Sequence, residues 1–123
     1  MKMKIEELLK YFFSVRTQIH LWHFQTEFYS EHNGLREFYP KWLNLADDFV
    51  ETYIGKYGRP VGGMQFNIIP YAEGASLKYM RGVADFMLSR EVRSIAADSD
   101  LQNILDEMSA LAKHTSYMLT LKH

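Results

Sequence analysis

The chain has 123 residues, which is enough for one hydrophobic core and too few for two separate ones. It contains no cysteine, which excludes disulfides, thiolate metal sites and a cysteine nucleophile. A net charge of -1 gives no overall attraction to nucleic acid, so nucleic acid is not expected as a partner.

The first predicted helix spans residues 4–29. Apolar residues recur every three or four positions there, as they do on one face of a helix, and no Gly or Pro interrupts the pattern. His23 lies at the centre of the apolar face and is expected to be buried, whereas His20 lies on its shoulder. The segment from Glu31 to Gly34 is predicted to be the turn that follows, with His32 inside it and Gly34 free to adopt a positive φ.

The second predicted helix spans residues 35–57 and contains Pro40, which is expected either to kink it or to mark its first turn. Asp47 and Glu51 stand four positions apart in this helix, so their carboxylates share a face. A cluster of glycines with Pro60 follows and ends the helical pattern.

Residues 59–73 are predicted to be an ordered crossover loop, because they are too apolar for a solvated linker. Two further helices are predicted at residues 75–95 and 100–121, the last opened by a capping box of Ser99 and Gln102. Two helical hairpins joined by a crossover loop predict an all-α, four-helix bundle that forms a single domain over residues 1–123.

The first residues run directly into an amphipathic pattern and do not resemble a signal peptide. No apolar run approaches the roughly 18 residues that a membrane span needs. We therefore expect a cytoplasmic protein without a membrane partner.

Four side chains are candidate metal ligands: His20, His32, Asp47 and Glu51. Imidazole and carboxylate groups suit iron, zinc or manganese, and the lack of thiolates favours iron. Each group alone has a simpler interpretation, as a buried histidine or as part of a solvated acidic helix face. Only the joint spacing of the four residues indicates a metal site.

The same spacing carries a family resemblance. The segment from Gln18 to Pro60, with His20, His32, Asp47 and Glu51, resembles the Dps miniferritins of the ferritin-like superfamily. It is also similar to small phage-encoded ferritin-like proteins with a His…Asp-x-x-x-Glu-x-Tyr-x-Gly core. The resemblance covers about a third of the chain, and the second half is similar only in being helical.

The resemblance implies a ferritin-like bundle that forms a homodimer or a larger homo-oligomer and binds iron. In that family the two histidines come from one chain and the Asp and Glu from its two-fold partner, and the site oxidises iron(II) as a ferroxidase. The family also has a carboxylate four residues after the second histidine, where this chain has Arg36. A guanidinium cannot bind a metal, which puts a two-iron centre in question.

The alternative is a metal-free helical module for interaction or assembly that has lost the ferroxidase chemistry. Arg36 favours this alternative, whereas the spacing of the four ligands favours the metal site. Aromatic residues make up 15% of the chain, more than one helix face can bury, and predict a hydrophobic surface used in self-association.

Overall fold

The computed structural model describes residues 2–121 and contains five helices. These are α1 (Ile5–Gln25), α2 (Tyr29–Tyr57), α3 (Ala75–Met87), α4 (Arg90–Arg93) and α5 (Ser99–Thr120). The prediction of an all-α fold is confirmed. Helix α1 packs on α2, α2 on α5 and α5 on α3, while α3 meets α1 along a much shorter stretch.

Aromatic side chains fill the core between α1 and α2. The fully buried ones are Phe12, Trp22, Phe38, Trp42 and Phe49. The Phe12 ring meets Trp42 and Phe49 edge-on, at a centroid distance of 5.8 Å in each case. The indole nitrogen of Trp42 donates a hydrogen bond to the Phe12 carbonyl at 3.0 Å. Packing and this bond together fix α2 against α1.

The predicted boundary between the first two helices is wrong. Helix α1 ends at Gln25 rather than at residue 29, and α2 begins at Tyr29 rather than at residue 35. The reason is Thr26, whose backbone is extended. Its hydroxyl donates to the Glu31 carboxylate at 2.5 Å and accepts the Phe28 N–H at 3.2 Å. Such local side-chain bonds compete with helical ones and end the helix.

Gly34, predicted to lie in a turn, and Pro40, predicted to kink the helix or to mark its first turn, both lie inside α2. Gly34 is helical and buried, and a Cβ on it would lie 3.4 Å from the Leu119 side chain of α5, an ordinary contact distance. Pro40 lies in the middle of α2 and removes the N–H that would bind the Arg36 carbonyl. The helix ends at residue 57 as predicted, and Gly58 follows with a φ of 102°.

The third predicted helix is two helices in the structure. Helix α3 ends at Met87, and the hydroxyl of Ser89 accepts the N–H of Val92 at 3.3 Å, which caps the start of α4. Arg93 then donates to the Met87 carbonyl at 2.9 Å and forms an ion pair with Asp106 at 2.7 Å. The Ser89 cap is why the helix predicted over 75–95 does not continue.

Helix α5 lies within one residue of its predicted bounds, but the predicted capping box does not form. Asp98 is the N-cap, and the Gln102 amide instead donates to the carbonyls of Arg93 and Ala96. Asp98 and Asp100 bind the ammonium of Lys56 at 3.2 and 2.8 Å. These charged contacts join the C-terminal end of α2 to the start of α5.

The crossover loop is attached to α1 through its backbone. Gln18 is buried, and its amide exchanges two hydrogen bonds with Ile69, of 2.8 and 2.9 Å. The indole of Trp22 donates to the same Ile69 carbonyl at 3.0 Å. Gln25 accepts the Tyr71 N–H at 2.9 Å. The loop is ordered by these contacts, as its composition predicts.

Candidate metal site

The four predicted ligands lie on α1 and α2. His20 is half-buried near the end of α1, and His32 is half-buried near the start of α2. The prediction that His32 lies in a turn is therefore wrong, because α2 begins three residues before it. Asp47 and Glu51 are both exposed and stand one turn apart on α2.

His32 is fixed by a reciprocal contact with His23. The Nδ1 atom of His32 lies 2.8 Å from the His23 carbonyl, and the Nδ1 atom of His23 lies 3.1 Å from the His32 carbonyl. The two rings stack with their centroids 3.9 Å apart. His23 is buried, as predicted, and its ring orients a candidate ligand from the neighbouring helix.

This contact fixes which ring nitrogen carries the proton. A carbonyl only accepts hydrogen bonds, so the Nδ1 atoms of His23 and His32 must both be donors. In the neutral ring the lone pair then lies on Nε2. Histidine ligands of metals commonly donate their other ring N–H to a carbonyl in this way. The bonding of His32 is therefore that of a ligand which binds through Nε2.

His20 lies among aromatic rings on the outer side of α1. Its ring stacks on Tyr39 of α2 at 4.3 Å and on Phe24 at 4.8 Å. Burial, the charge of Arg16 and the nearby His23 lower the pKa of His20 below its usual value. A lowered pKa keeps the imidazole neutral at neutral pH, which is the form that binds a metal.

Asp47 and Glu51 lie too far along α2 to meet the histidines of their own chain. Fifteen residues separate His32 from Asp47, which corresponds to about 22 Å along the helix axis. His20 contacts Tyr39, which lies about 12 Å along α2 from Asp47. Among residues 2–121 of one chain, no three His, Asp or Glu side chains lie close enough together to hold a metal ion. The predicted set can therefore converge only between two chains.

Arg36 is exposed on the same side of α2 as Asp47. Eleven residues separate them, which places them about 20° apart around the helix and about 16 Å apart along it. The face that carries the predicted acidic ligands therefore also carries a permanent positive charge.

A polar cluster around Glu31 was missed in the sequence. Its carboxylate accepts hydrogen bonds from the hydroxyls of Thr26, Tyr71 and Ser76. Burial, followed by the bond to Glu31, raises the pKa of Tyr71. The cluster borders a cavity of about 390 Å³ whose other walls include Phe28 and Leu119. No spacing in the sequence could have found it, because its members come from four separate segments.

None of the helices found between residues 2 and 121 combines the length and the apolar content needed to cross a lipid bilayer.

Comparison with known proteins gives one match. The model of a family of unknown function, DUF5856, matches residues 23–119. The matched range includes His32, Asp47 and Glu51 and leaves out His20. No curated protein and no solved structure matches the chain. Because the family model covers more than half of the sequence, the chain belongs to DUF5856.

Proposed function

We propose that this protein binds iron(II) at a site shared by two copies of the chain and oxidises it as a ferritin-like ferroxidase. His20 and His32 of one chain and Asp47 and Glu51 of the other would hold the ion. Zinc and manganese suit the same donors and are the alternative metals.

The observation that carries this proposal is the hydrogen bonding of His32. Its Nδ1–H is donated to the His23 carbonyl, so the ring presents Nε2 in a fixed direction. The lowered pKa of His20 adds a second imidazole that stays neutral. Exposure of Asp47 and Glu51 leaves both carboxylates available to another chain.

Iron(II) is the substrate in this proposal and each ion loses one electron. The two ions of a dimer together reduce one hydrogen peroxide to two hydroxide ions, or one oxygen molecule and two protons to hydrogen peroxide. The imidazoles bind the iron without charge, and the two carboxylates offset the charge of the oxidised ion. Arg36 lies one helical turn after His32 on α2, so its charge lies beside the proposed site and disfavours a second cation there. We therefore propose one ion at each shared site and two such sites in a dimer.

Anaerobic titration with iron(II) tests binding, and later addition of oxygen or peroxide tests oxidation through the near-ultraviolet absorbance of the ferric product. We expect one ion per chain and a rise in absorbance on oxidation. An Asp47→Asn, Glu51→Gln variant should lose both, because amides replace the anionic ligands without a large change in size.

Asp48→Asn with Glu37→Gln is the matched control. These two acids are exposed on the same helix, but lie about 80–100° around it from Asp47. Removing them changes the net charge as much as in the test variant. Equal losses of binding in the two variants, or no stoichiometric binding by the unaltered protein, would reject the site.

The second candidate function is a metal-free helical module for interaction or assembly. One observation favours it, which is the exposed Arg36 on the face that carries Asp47. An arginine there can neutralise the acid without a metal. Under this alternative iron(II) does not bind, and the α2 face serves only to hold chains together.

A further inference from the structure

One flank of α2 carries a mixed stripe of apolar and charged side chains, all exposed except Leu43 and Ile54, which are half-buried. Its members recur every three to seven positions and lie within about 60° of one another around the helix. They are Tyr29, Arg36, Pro40, Leu43, Asp47 and Ile54. The buried residues of α2, such as Trp42 and Phe49, lie more than 100° away around the helix and pack on the rest of the fold. We call this stripe the α2 stripe.

The α2 stripe is complementary to the same stripe of a second, antiparallel copy of the helix. Arg36 and Asp47 lie equally far on either side of a point between Lys41 and Trp42. The same holds for Pro40 with Leu43, and for Tyr29 with Ile54. A copy of the helix turned by a two-fold axis through that point therefore sets opposite charges level with each other and apolar groups level with apolar groups.

We propose that two copies of this chain pair through the α2 stripe. The two α2 helices run antiparallel, and Arg36 of each chain forms an ion pair with the partner's Asp47. The contact is the same on both sides, so it closes as a two-fold dimer. It needs no metal and therefore stands apart from the proposed iron chemistry.

The arrangement of the charges favours a second copy of this chain, rather than an unrelated protein, as the partner that binds the α2 stripe. A stripe with one positive and one negative group at matching distances from its centre is complementary to itself and would meet an acidic or a basic partner with one repulsive contact. Arg36 and Asp47 of one chain are eleven residues apart, so the two ion pairs of the dimer lie about 16 Å apart along α2. Two ion pairs at this separation fix the register of the two helices.

The surface beside the α2 stripe is apolar on the side of α1. Phe24 is 71% exposed and stacks on His20, whose ring also stacks on Tyr39 of α2. Phe13, about three helical turns before Phe24 on α1, is 40% exposed. These side chains add contact area to the stripe, which a dimer of ordinary stability requires.

The same register gives Arg36 a role in the shared site. It sets His32 at the same height along the helix as the partner's Glu51, with the two residues about 100° apart around α2 and so on opposite flanks of the stripe. The guanidinium of Arg36 then lies beside the partner's Asp47, at the position where a second metal ion would need an acid. Arg36 is therefore a positioning residue for the dimer, and only its further effect, to disfavour a second ion, rests on the proposed function.

Charge reversal tests the pairing. The oligomeric state is measured by sedimentation equilibrium in EDTA, so that metal plays no part. We expect a dimer for the unaltered chain and an at least tenfold weaker dimer for Arg36→Asp and for Asp47→Arg, each of which places like charges together. The double variant Arg36→Asp, Asp47→Arg restores the attraction with reversed signs and should recover the dimer.

Glu37→Lys is the matched control, because Glu37 is exposed next to Arg36 but lies about 100° around the helix. It should dimerise like the unaltered chain. Circular dichroism of each variant shows whether it is folded, and all three affected positions are exposed. A monomeric unaltered chain, single reversals without effect, or a folded double variant that stays monomeric would overturn the pairing. A dimer that binds no iron would instead reject only the proposed function.

Discussion

His23 and His32 each donate an Nδ1–H hydrogen bond to the backbone carbonyl of the other. The exchange joins two residues nine positions apart and fastens the end of α1 to the start of α2. It also fixes the His32 ring before any metal or partner arrives. This preorganisation is the part of the candidate site that lies within one chain.

His23→Ala should lower the free energy of unfolding by about 1–3 kcal/mol, because it removes one hydrogen bond and leaves the His32 carbonyl without its side-chain donor. Urea denaturation measures the change. His114→Ala is the control, since His114 is exposed on α5, and it should change stability by less than about 0.5 kcal/mol. Similar effects at the two positions would contradict a structural role for the exchange.

Gln18→Ala should release the crossover loop from α1. It removes two hydrogen bonds to Ile69 that are made by a side chain only 4% exposed, and we expect a loss of about 2 kcal/mol. Limited proteolysis should then cut within residues 59–73 faster than in the unaltered chain. Lys10→Ala, at an exposed position of α1, should leave the cleavage rate unchanged; faster cleavage there too would show that α1 itself is weakened.

Gly34 within α2 and Gly58 just after it should respond to alanine with opposite signs. Gly34 is helical, and a Cβ there meets Leu119 at an ordinary contact distance, so Gly34→Ala should stabilise the protein by about 0.5–1 kcal/mol. Gly58 has a φ of 102°, which alanine adopts only with strain, so Gly58→Ala should destabilise it by about 1 kcal/mol. Thermal unfolding of the pair measures both, and a stabilising Gly58→Ala would contradict the conformation of this cap.

Alkaline unfolding should depend on two half-buried tyrosines, Tyr11 and Tyr79. Burial raises the pKa of Tyr79 to about 12, and it raises the pKa of Tyr11 as well. A raised folded-state pKa stabilises the protein below the unfolded pKa near 10, and this contribution is lost as the pH rises toward 12. Stability should therefore fall above pH 10.

Tyr11→Phe with Tyr79→Phe should reduce this alkaline loss, because neither phenylalanine ionises. Thermal unfolding at several pH values between 8 and 12 measures the difference. Tyr117→Phe is the control, since Tyr117 is 60% exposed. An unchanged alkaline profile in the double variant would show that other groups cause the loss.

The sequence predicts the long helices well because each has its own apolar face. It fails at the ends that depend on distant side chains. Thr26 ends α1 through a bond to Glu31, and Gly34 is helical at a buried position that faces Leu119 of α5. Neither contact can be read from local spacing, since the decisive partner lies on another element or on the other side of the turn.

In the candidate site, too, some features follow from the local sequence and others depend on distant residues. The burial of His23 follows from its place on the apolar face, and the exposure of Asp47 and Glu51 follows from their place on the flank of α2. The exchange between His23 and His32 does not, because it depends on where α2 begins. Convergence of His20, His32, Asp47 and Glu51 stays a prediction, since it requires a second chain.

Glu31 connects three segments of the fold to the start of α2. Its one carboxylate is held by hydroxyls from the link after α1, from the crossover loop and from the first turn of α3. A disturbance at any of these three places reaches the other two through a single side chain. Since His32 follows Glu31 directly, strain arising at the start of α3 would act first on the backbone beside this histidine.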